Sequence, residues 1–336
     1  MSEKSVRSTI TGVGHYVPTK VVTNDDLAKL MTTSDEWIHQ RSGIKERRFI
    51  EHDGIGASDL ALPAAKMAIE HAGIQTQDVD AIIFATLSPD YNFPGSGVLL
   101  GHALGLPGVP ALDVRNQCSG FLYSLSVADA WVRCGIYKNV LIAGSEVHST
   151  GIELADRGRD VAVLFGDGAG CAIVSRATDP NQGIKALQIH SDGVGARDLM
   201  VEYPSSRRIP RITKEQLDEG LHYPKMIGKQ VFRWAVEKMP EVAQKVMDDA
   251  KLNVDDLDLF VPHQANMRIN QMVGMKLNIP QEKIVHNIEK YGNTTAATIP
   301  IGLSEAWREG RCKRGSNVLM AAFGAGYTWG GCVITL

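Results

Sequence analysis

A cysteine, a histidine and an asparagine in three separate stretches of this chain have side chains that could do chemistry together. Cys118 lies in Asn116-Gln117-Cys118-Ser119-Gly120-Phe121. The apolar run Val109 to Val114 before it reads as a buried strand, and Phe121 to Val132 after it reads as a buried helix. A thiol at such a switch stands over the unpaired N–H groups of a helix start, which favour a thiolate. The competing use of such a residue is a small buried core cysteine. His263, in Val261-Pro262-His263-Gln264-Ala265-Asn266, follows an apolar strand at the end where parallel sheets place ligands. Asn293, in Tyr291-Gly292-Asn293-Thr294-Thr295, precedes another helix start and taken alone reads as a cap or turn residue. A thiol held as a thiolate, with a histidine and an asparagine as partners, reads as a candidate nucleophile.

The elements that must bring these residues together come from an internal repeat. Ala64 to Asp80 (AAKMAIEHAGIQTQDVD) resembles Pro240 to Asp258 (PEVAQKVMDDAKLNVDDLD), with Ala72 matching Ala250 and Asp80 matching Asp258, both offset by 178. Asn139-Val140-Leu141 and Asn317-Val318-Leu319 match at the same offset. Each half reads as helix, acidic turn and apolar strand, so mostly parallel sheets covered by helices are expected. Strands are expected near 80–87, 109–114 and 139–144, and Lys283 to Ile288 is the expected counterpart of the strand before Cys118. Asn293 then falls near the pseudo-equivalent of Cys118, and a twofold would place the two helix starts together. Two halves, 1–176 and 177–336, are expected to meet in the loop Arg176-Ala177-Thr178-Asp179-Pro180, with the site at their seam. Gly166, Gly168 and Gly170 have the wrong spacing for a phosphate loop and read as a tight turn between strands Val161 to Phe165 and Cys171 to Val174.

Composition excludes several classes. The chain has 336 residues and a formal net charge of −3, which gives no global argument for nucleic acid. No apolar run reaches the roughly 18 residues of a membrane helix, and Met1 to Ser8 has no signal-peptide core. Five scattered cysteines, with no paired or zinc-like spacing, fit a reduced cytoplasm.

Cys118, His263 within HQANMRI and Asn293 within GNTTAA resemble the triad motifs of 3-oxoacyl-[acyl-carrier-protein] synthase III, of the thiolase-like superfamily. The resemblance extends to Thr33 to Ile38, Arg41 to Ile44, Asp156-Arg157-Gly158, Phe165 to Gly170 and Phe323 to Gly330. It implies an α/β fold of five layers, α/β/α/β/α, built from two pseudo-twofold-related halves. It also implies a decarboxylating Claisen condensation of an acyl-coenzyme A primer with malonyl-[acyl-carrier protein], which initiates fatty acid synthesis. Coenzyme A thioesters enter as substrates, and no cofactor or metal is implied. By the same resemblance Cys118 and Ala325 supply oxyanion-hole N–H groups. Trp37, Arg41, Arg157, Phe232 and Asn266 line or cap the tunnel for the carrier arm. Arg268 and Lys276 face an acidic acyl carrier protein, and Phe93 closes the partner's acyl pocket across a homodimer interface.

Departures from the family bear on the primer. Gln117 and Ser119 flank the nucleophile where alanines are common, Ala325 replaces a usual Gly, and Lys229 replaces a common Asn. The small residues Gly95-Ser96-Gly97 after Phe93 are expected to widen the pocket. These features keep a second reading open, a specialised relative using medium-chain or aromatic starters. A papain-type Cys-His-Asn hydrolase and an inactive carrier-binding protein are the remaining alternatives.

Overall fold

The computed structural model describes residues 7–336. Its two main sheets share one construction. In the first, Ala81–Ala85 pairs in parallel with Asn139–Glu146, starting with Ala81 opposite Val140. In the second, Leu259–Pro262 pairs in parallel with Asn317–Gly324, starting with Leu259 opposite Val318. Both registers sit at the offset of 178 seen in the sequence. The matched polar residues explain why. The Asp80 N–H donates to the Asn139 carbonyl (2.9 Å), and the Asp80 carboxylate accepts from the Asn139 N–H (3.0 Å). Asp258 and Asn317 repeat this pair of bonds at 2.9 and 2.7 Å. Asn139 and Asn317 then each donate a side-chain amide to the carbonyl two residues before their aspartate, at 2.9 and 3.0 Å.

Alternation along the strands builds the layers. Ala81, Ile83, Val140 and Ile142 face inward and meet the helices Gly120–Arg133 and Thr298–Arg308. Leu259, Val261, Val318 and Met320 press on the same two helices from the second sheet. On the outer face of the first sheet, Ile82, Phe84, Leu141 and Ala143 are covered by Ala57–Ala72 and Ser96–Ala103. On the outer face of the second, Phe260, Leu319 and Ala321 are covered by Gly228–Ala250 and Met267–Leu277. The result is the α/β/α/β/α order. The first sheet comes close to the turn that starts the second central helix: a Cβ on Gly144 would lie 2.4 Å from the Ala296 carbonyl oxygen.

Five expectations are revised. The sheets are mixed rather than mostly parallel, since Ser8–Tyr16 and Gly168–Arg176 in the first and Thr328–Thr335 and Gly183–Ser191 in the second pair antiparallel. The strand before Cys118 spans Ala111–Val114 and is the edge of its sheet, so Leu112 is exposed in the single chain. Lys283 to Ile288 forms no strand; only Ile284 bridges to Phe260, because Gln281–Lys283 coils into a short 3-10 turn. Val161 to Phe165 is not a strand either, since Arg159–Ala162 is helical, while Gly168 and Gly170 lie inside the strand Gly168–Arg176. Gly95 and Gly97 open no cavity in this chain. They make room for Asp113, whose carboxylate accepts from the Ser96 and Gly97 N–H groups at 2.6 and 3.1 Å.

Candidate active site

Cys118 sits in a short 3-10 turn, Gln117–Ser119, that leads into the helix beginning at Gly120. The pseudo-equivalent turn in the second half is Thr295–Ala297, leading into the helix beginning at Thr298. Gln117 and Thr295 both adopt left-handed backbone, φ 45° and 50°, a strained conformation for such residues that turns the next side chain sharply. The counterpart of Cys118 is therefore Ala296, and Asn293 lies three residues earlier in its half. The two turns touch at the seam, with Gly120 packed against Ala296.

Burial sets the protonation states. Removal from water, and then the nearby Glu146 carboxylate, push the Cys118 thiol up to about 12. The backbone N–H groups of Cys118 and Ala325 pull the other way without winning. The thiolate expected from the helix start is thus outweighed, and Cys118 rests as a thiol. The same two N–H groups lie beside the sulfur. Gly324 lets this happen, since a Cβ there would lie 2.9 Å from the Cys118 Cβ.

His263 is 1% exposed, and burial lowers it to about 3, so it is a neutral imidazole. Its Nδ1 lies 2.7 Å from the Thr298 hydroxyl, which in turn donates to the Thr295 carbonyl at 3.0 Å. That chain makes Nδ1 the donor and leaves Nε2 a bare acceptor. Nε2 is buried without a hydrogen-bond partner. Asn293 spends its Oδ1 on the Thr295 N–H at 2.9 Å, so its side-chain NH₂ is the group left to serve the cavity it lines.

Two cavities meet at Cys118. One, of 460 Å³, has Cys118, His263 and Asn293 in its wall together with Trp37, Arg41, Phe232, Asn266 and Arg268. The other, of 590 Å³, holds Cys118 and Ala325 and extends to the segment 196–201. Asn266 caps the helix Met267–Leu277 and donates to the Arg41 carbonyl at 2.8 Å, tying the two sides of the first mouth. Arg268 lies over the Phe232 ring at 5.6 Å. Lys229 lines the same cavity.

Three expected residues lie elsewhere. The Arg157 guanidinium is held by Glu153 and the Asp218 carbonyl and lines neither cavity. Arg159, which the sequence reading passed over, stands over the Trp37 ring at 4.8 Å, beside Arg41 at 4.3 Å. The run Arg157-Gly158-Arg159 offers two guanidiniums, and only packing selects one. Lys276 donates to the Val236 carbonyl outside the cavity. Phe93 is 85% exposed and touches neither cavity of its own chain.

Two further residues went unnoticed in the sequence. Glu146 is fully buried; burial pushes it to about 7, while Thr86, Ser88 and the Leu87 N–H hydrogen-bond its carboxyl. His148 packs on Phe165 beside Thr295. Among the described residues no cluster of His, Cys, Asp and Glu could hold a metal. No described helix is long and apolar enough to cross a membrane.

Comparison with known proteins agrees with this geometry. Residues 112–193 match the family model for 3-oxoacyl-[acyl-carrier-protein] synthase III, and residues 247–336 match the model for its C-terminal part. The beta-ketoacyl-[acyl-carrier-protein] synthase III of Clostridioides difficile (strain 630) is 42% identical over 330 residues, covering 98% of each chain. The crystal structure of the Aquifex aeolicus VF5 synthase III superposes with a TM-score of 0.89 at 40% identity, over 98% of this chain and 100% of that one. The priming beta-ketosynthase of the R1128 polyketide pathway superposes with a TM-score of 0.89 at 33% identity, over 99% of this chain and 98% of that one. With the thiol, imidazole and carboxamide at the seam of a doubled α/β body, this chain belongs to the 3-oxoacyl-[acyl-carrier-protein] synthase III family of condensing acyltransferases.

Proposed function

We propose that Cys118, His263 and Asn293 are the catalytic residues of an initiating condensation between acyl-coenzyme A and malonyl-[acyl-carrier protein]. The observation that carries this reading is the position of Cys118 where two cavities join, with His263 and Asn293 on one side only. The cavity they share admits the carrier arm, and the other holds the primer's acyl chain.

In the first half-reaction the bare Nε2 of His263 takes the Cys118 proton as sulfur attacks the primer thioester. The oxyanion of the tetrahedral intermediate rests on the N–H groups of Cys118 and Ala325. Collapse breaks the carbon–sulfur bond to coenzyme A, whose thiolate receives the proton from Nε2. In the second half-reaction malonyl thioester loses CO₂, and its enolate oxygen needs two donors. Asn293 Nδ2 supplies one. His263 supplies the other when the Thr298 hydroxyl turns to donate to Nδ1 and the ring carries its proton on Nε2. The enolate carbon then attacks the Cys118 thioester, and Sγ leaves as a thiolate that takes a proton supplied by solvent through His263, giving 3-oxoacyl-[acyl-carrier protein] and the free Cys118 thiol.

Trp37, between Arg41 and Arg159, offers a flat surface with cations for the adenine and phosphates of coenzyme A. Arg268 at the mouth, with Lys276 farther along the same helix, gives an acidic carrier protein its docking charge. Phe93 closes the primer cavity of the second copy in a homodimer formed along the edge strand Ala111–Val114. The chain divides into halves 1–176 and 177–336, needs no cofactor, and works in the cytoplasm.

The test is intact mass after incubation with acetyl-coenzyme A, followed by malonyl-[acyl-carrier protein]. A 42 Da adduct, lost in Cys118→Ala and discharged with CO₂ release, is the expected result for the acetyl group. An adduct that survives Cys118→Ala, or no CO₂, would overturn the assignment.

A further inference from the structure

The primer cavity is not a plain hydrocarbon slot. Arg115, Gln117, His148 and His222 line it, and each has hydrogen-bonding capacity left over. The Arg115 guanidinium, on an exposed residue at the cavity rim, makes no ion pair or hydrogen bond with any described residue. Gln117, next to the nucleophile, makes only one long contact, 3.4 Å, to the Arg115 carbonyl. His148 is 6% exposed and uses Nε2 on the Thr295 hydroxyl at 2.6 Å; its Nδ1 has no described partner. His222 keeps Nδ1 buried and unpartnered. By contrast Ser88 and Asp90, in the same wall, are consumed by Glu146 and Ser58.

We propose that the preferred primer is an acyl thioester bearing an oxygen function on its chain, a hydroxyl or oxo group, and that His148 and Gln117 help select it. The inference rests on the condensation reading above and names the substrate class of the same site. A plain alkyl chain would expel water from these side chains and replace none of their bonds, so the unpaired groups would count against it. Burial keeps the His148 imidazole neutral, so it offers a donor or an acceptor and no charge. A hydroxyl satisfies either tautomer. Arg115 adds donors for an oxygen acceptor. The transfer itself is unchanged: the acyl carbon leaves the coenzyme A sulfur for Cys118 Sγ, and the thiol proton leaves with coenzyme A.

The experiment measures rates of Cys118 acylation by mass, using the full chain and matched coenzyme A thioesters. The pairs are butyryl with 3-hydroxybutyryl and hexanoyl with 6-hydroxyhexanoyl, with acetyl as reference. At least one hydroxylated primer is expected to exceed its alkyl partner about 10-fold in kcat/KM. His148→Leu, and separately Gln117→Leu, are expected to shrink that ratio by raising the alkyl rate. Alkyl primers equal to or faster than both hydroxylated partners in the unmodified protein would overturn the proposal, without reliance on any variant folding. Ratios unchanged in both variants would overturn the roles of His148 and Gln117. Acetyl labelling of Cys118 with no hydroxyl preference sinks only this inference, whereas no labelling by any primer sinks the condensation reading as well.

Discussion

Gly324 and Thr298 shape the chemistry without reacting. A side chain at 324 would meet the Cys118 Cβ and backbone N at 2.9 and 3.0 Å, so the nucleophile or the strand would have to move. Gly324→Ala is expected to cost about 1–3 kcal/mol of stability from overpacking. It should also slow acylation at least about 10-fold, because reacting geometry tolerates little displacement. Denaturant melts and single-turnover acylation check the two effects separately. Thr298 is the sole described partner of His263 Nδ1. Thr298→Val strands that nitrogen, favouring the tautomer with the proton on Nε2. Acylation, which needs a bare Nε2, should fall more than malonyl decarboxylation, and Thr298→Ser should restore both. Equal losses in the two half-reactions would refute the tautomer argument.

At the scale of elements, the mouth proposed for coenzyme A depends on how the helix Asp35–Ser42 meets the short helix Arg159–Ala162. Ser34 caps the first through the Trp37 N–H at 3.1 Å, fixing the indole where Arg41 and Arg159 reach it. Arg159→Ala should raise KM for acyl-coenzyme A about 10-fold with kcat little changed, the mark of lost uniform binding. Arg157→Ala should have a smaller effect on KM, since that guanidinium is spent on Glu153 and the Asp218 carbonyl. The reverse ranking in steady-state kinetics would return the nucleotide role to Arg157. The central layer is similarly tight. Gly144→Ala would drive a Cβ to within 2.4 Å of the Ala296 carbonyl oxygen, so loss of both stability and Asn293 placement is the expected outcome.

Across the whole molecule, burial of ionisable groups shapes acid stability. His148 and His263 are both lowered to about 3, whereas the unfolded chain binds their protons near 6.5. Their contribution is present above pH 6.5 and is lost as pH falls toward 3, at up to about 1.4 kcal/mol per unit for each. Glu146, raised from 4.5 to about 7, has the opposite sign: its contribution is full below 4.5 and is lost as pH rises toward 7. Between 4.5 and 6.5 two histidines oppose one carboxyl. These three groups therefore predict a lower unfolding midpoint at pH 5 than at pH 6.5, and His148→Leu should flatten the difference. The proposed dimer has its own test: sedimentation should give twice the chain mass, and Phe93→Asp, at an 85% exposed site, should shift it toward one.

The doubled α/β plan was legible because a 178-residue offset recurs in polar residues that make the same hydrogen bonds in both halves, Asp80 with Asn139 and Asp258 with Asn317. That Cys118, His263 and Asn293 would share one cavity was legible from the repeat, which sets each at a strand end or ahead of a helix start. Local pattern could not show which of two neighbouring arginines turns toward Trp37, since both fit the turn. It missed His148, which lies two residues past the strand Asn139–Glu146 and joins the cavity wall beside Thr295, 147 residues away. It also mistook the protonation state of Cys118. A helix start favours a thiolate, but full burial and the Glu146 carboxyl are properties of the assembled core, and together they outweigh that local field. Periodicity and short-range polar pairing are written along the chain; desolvation and the choice among long side chains are decided only when distant segments close around them.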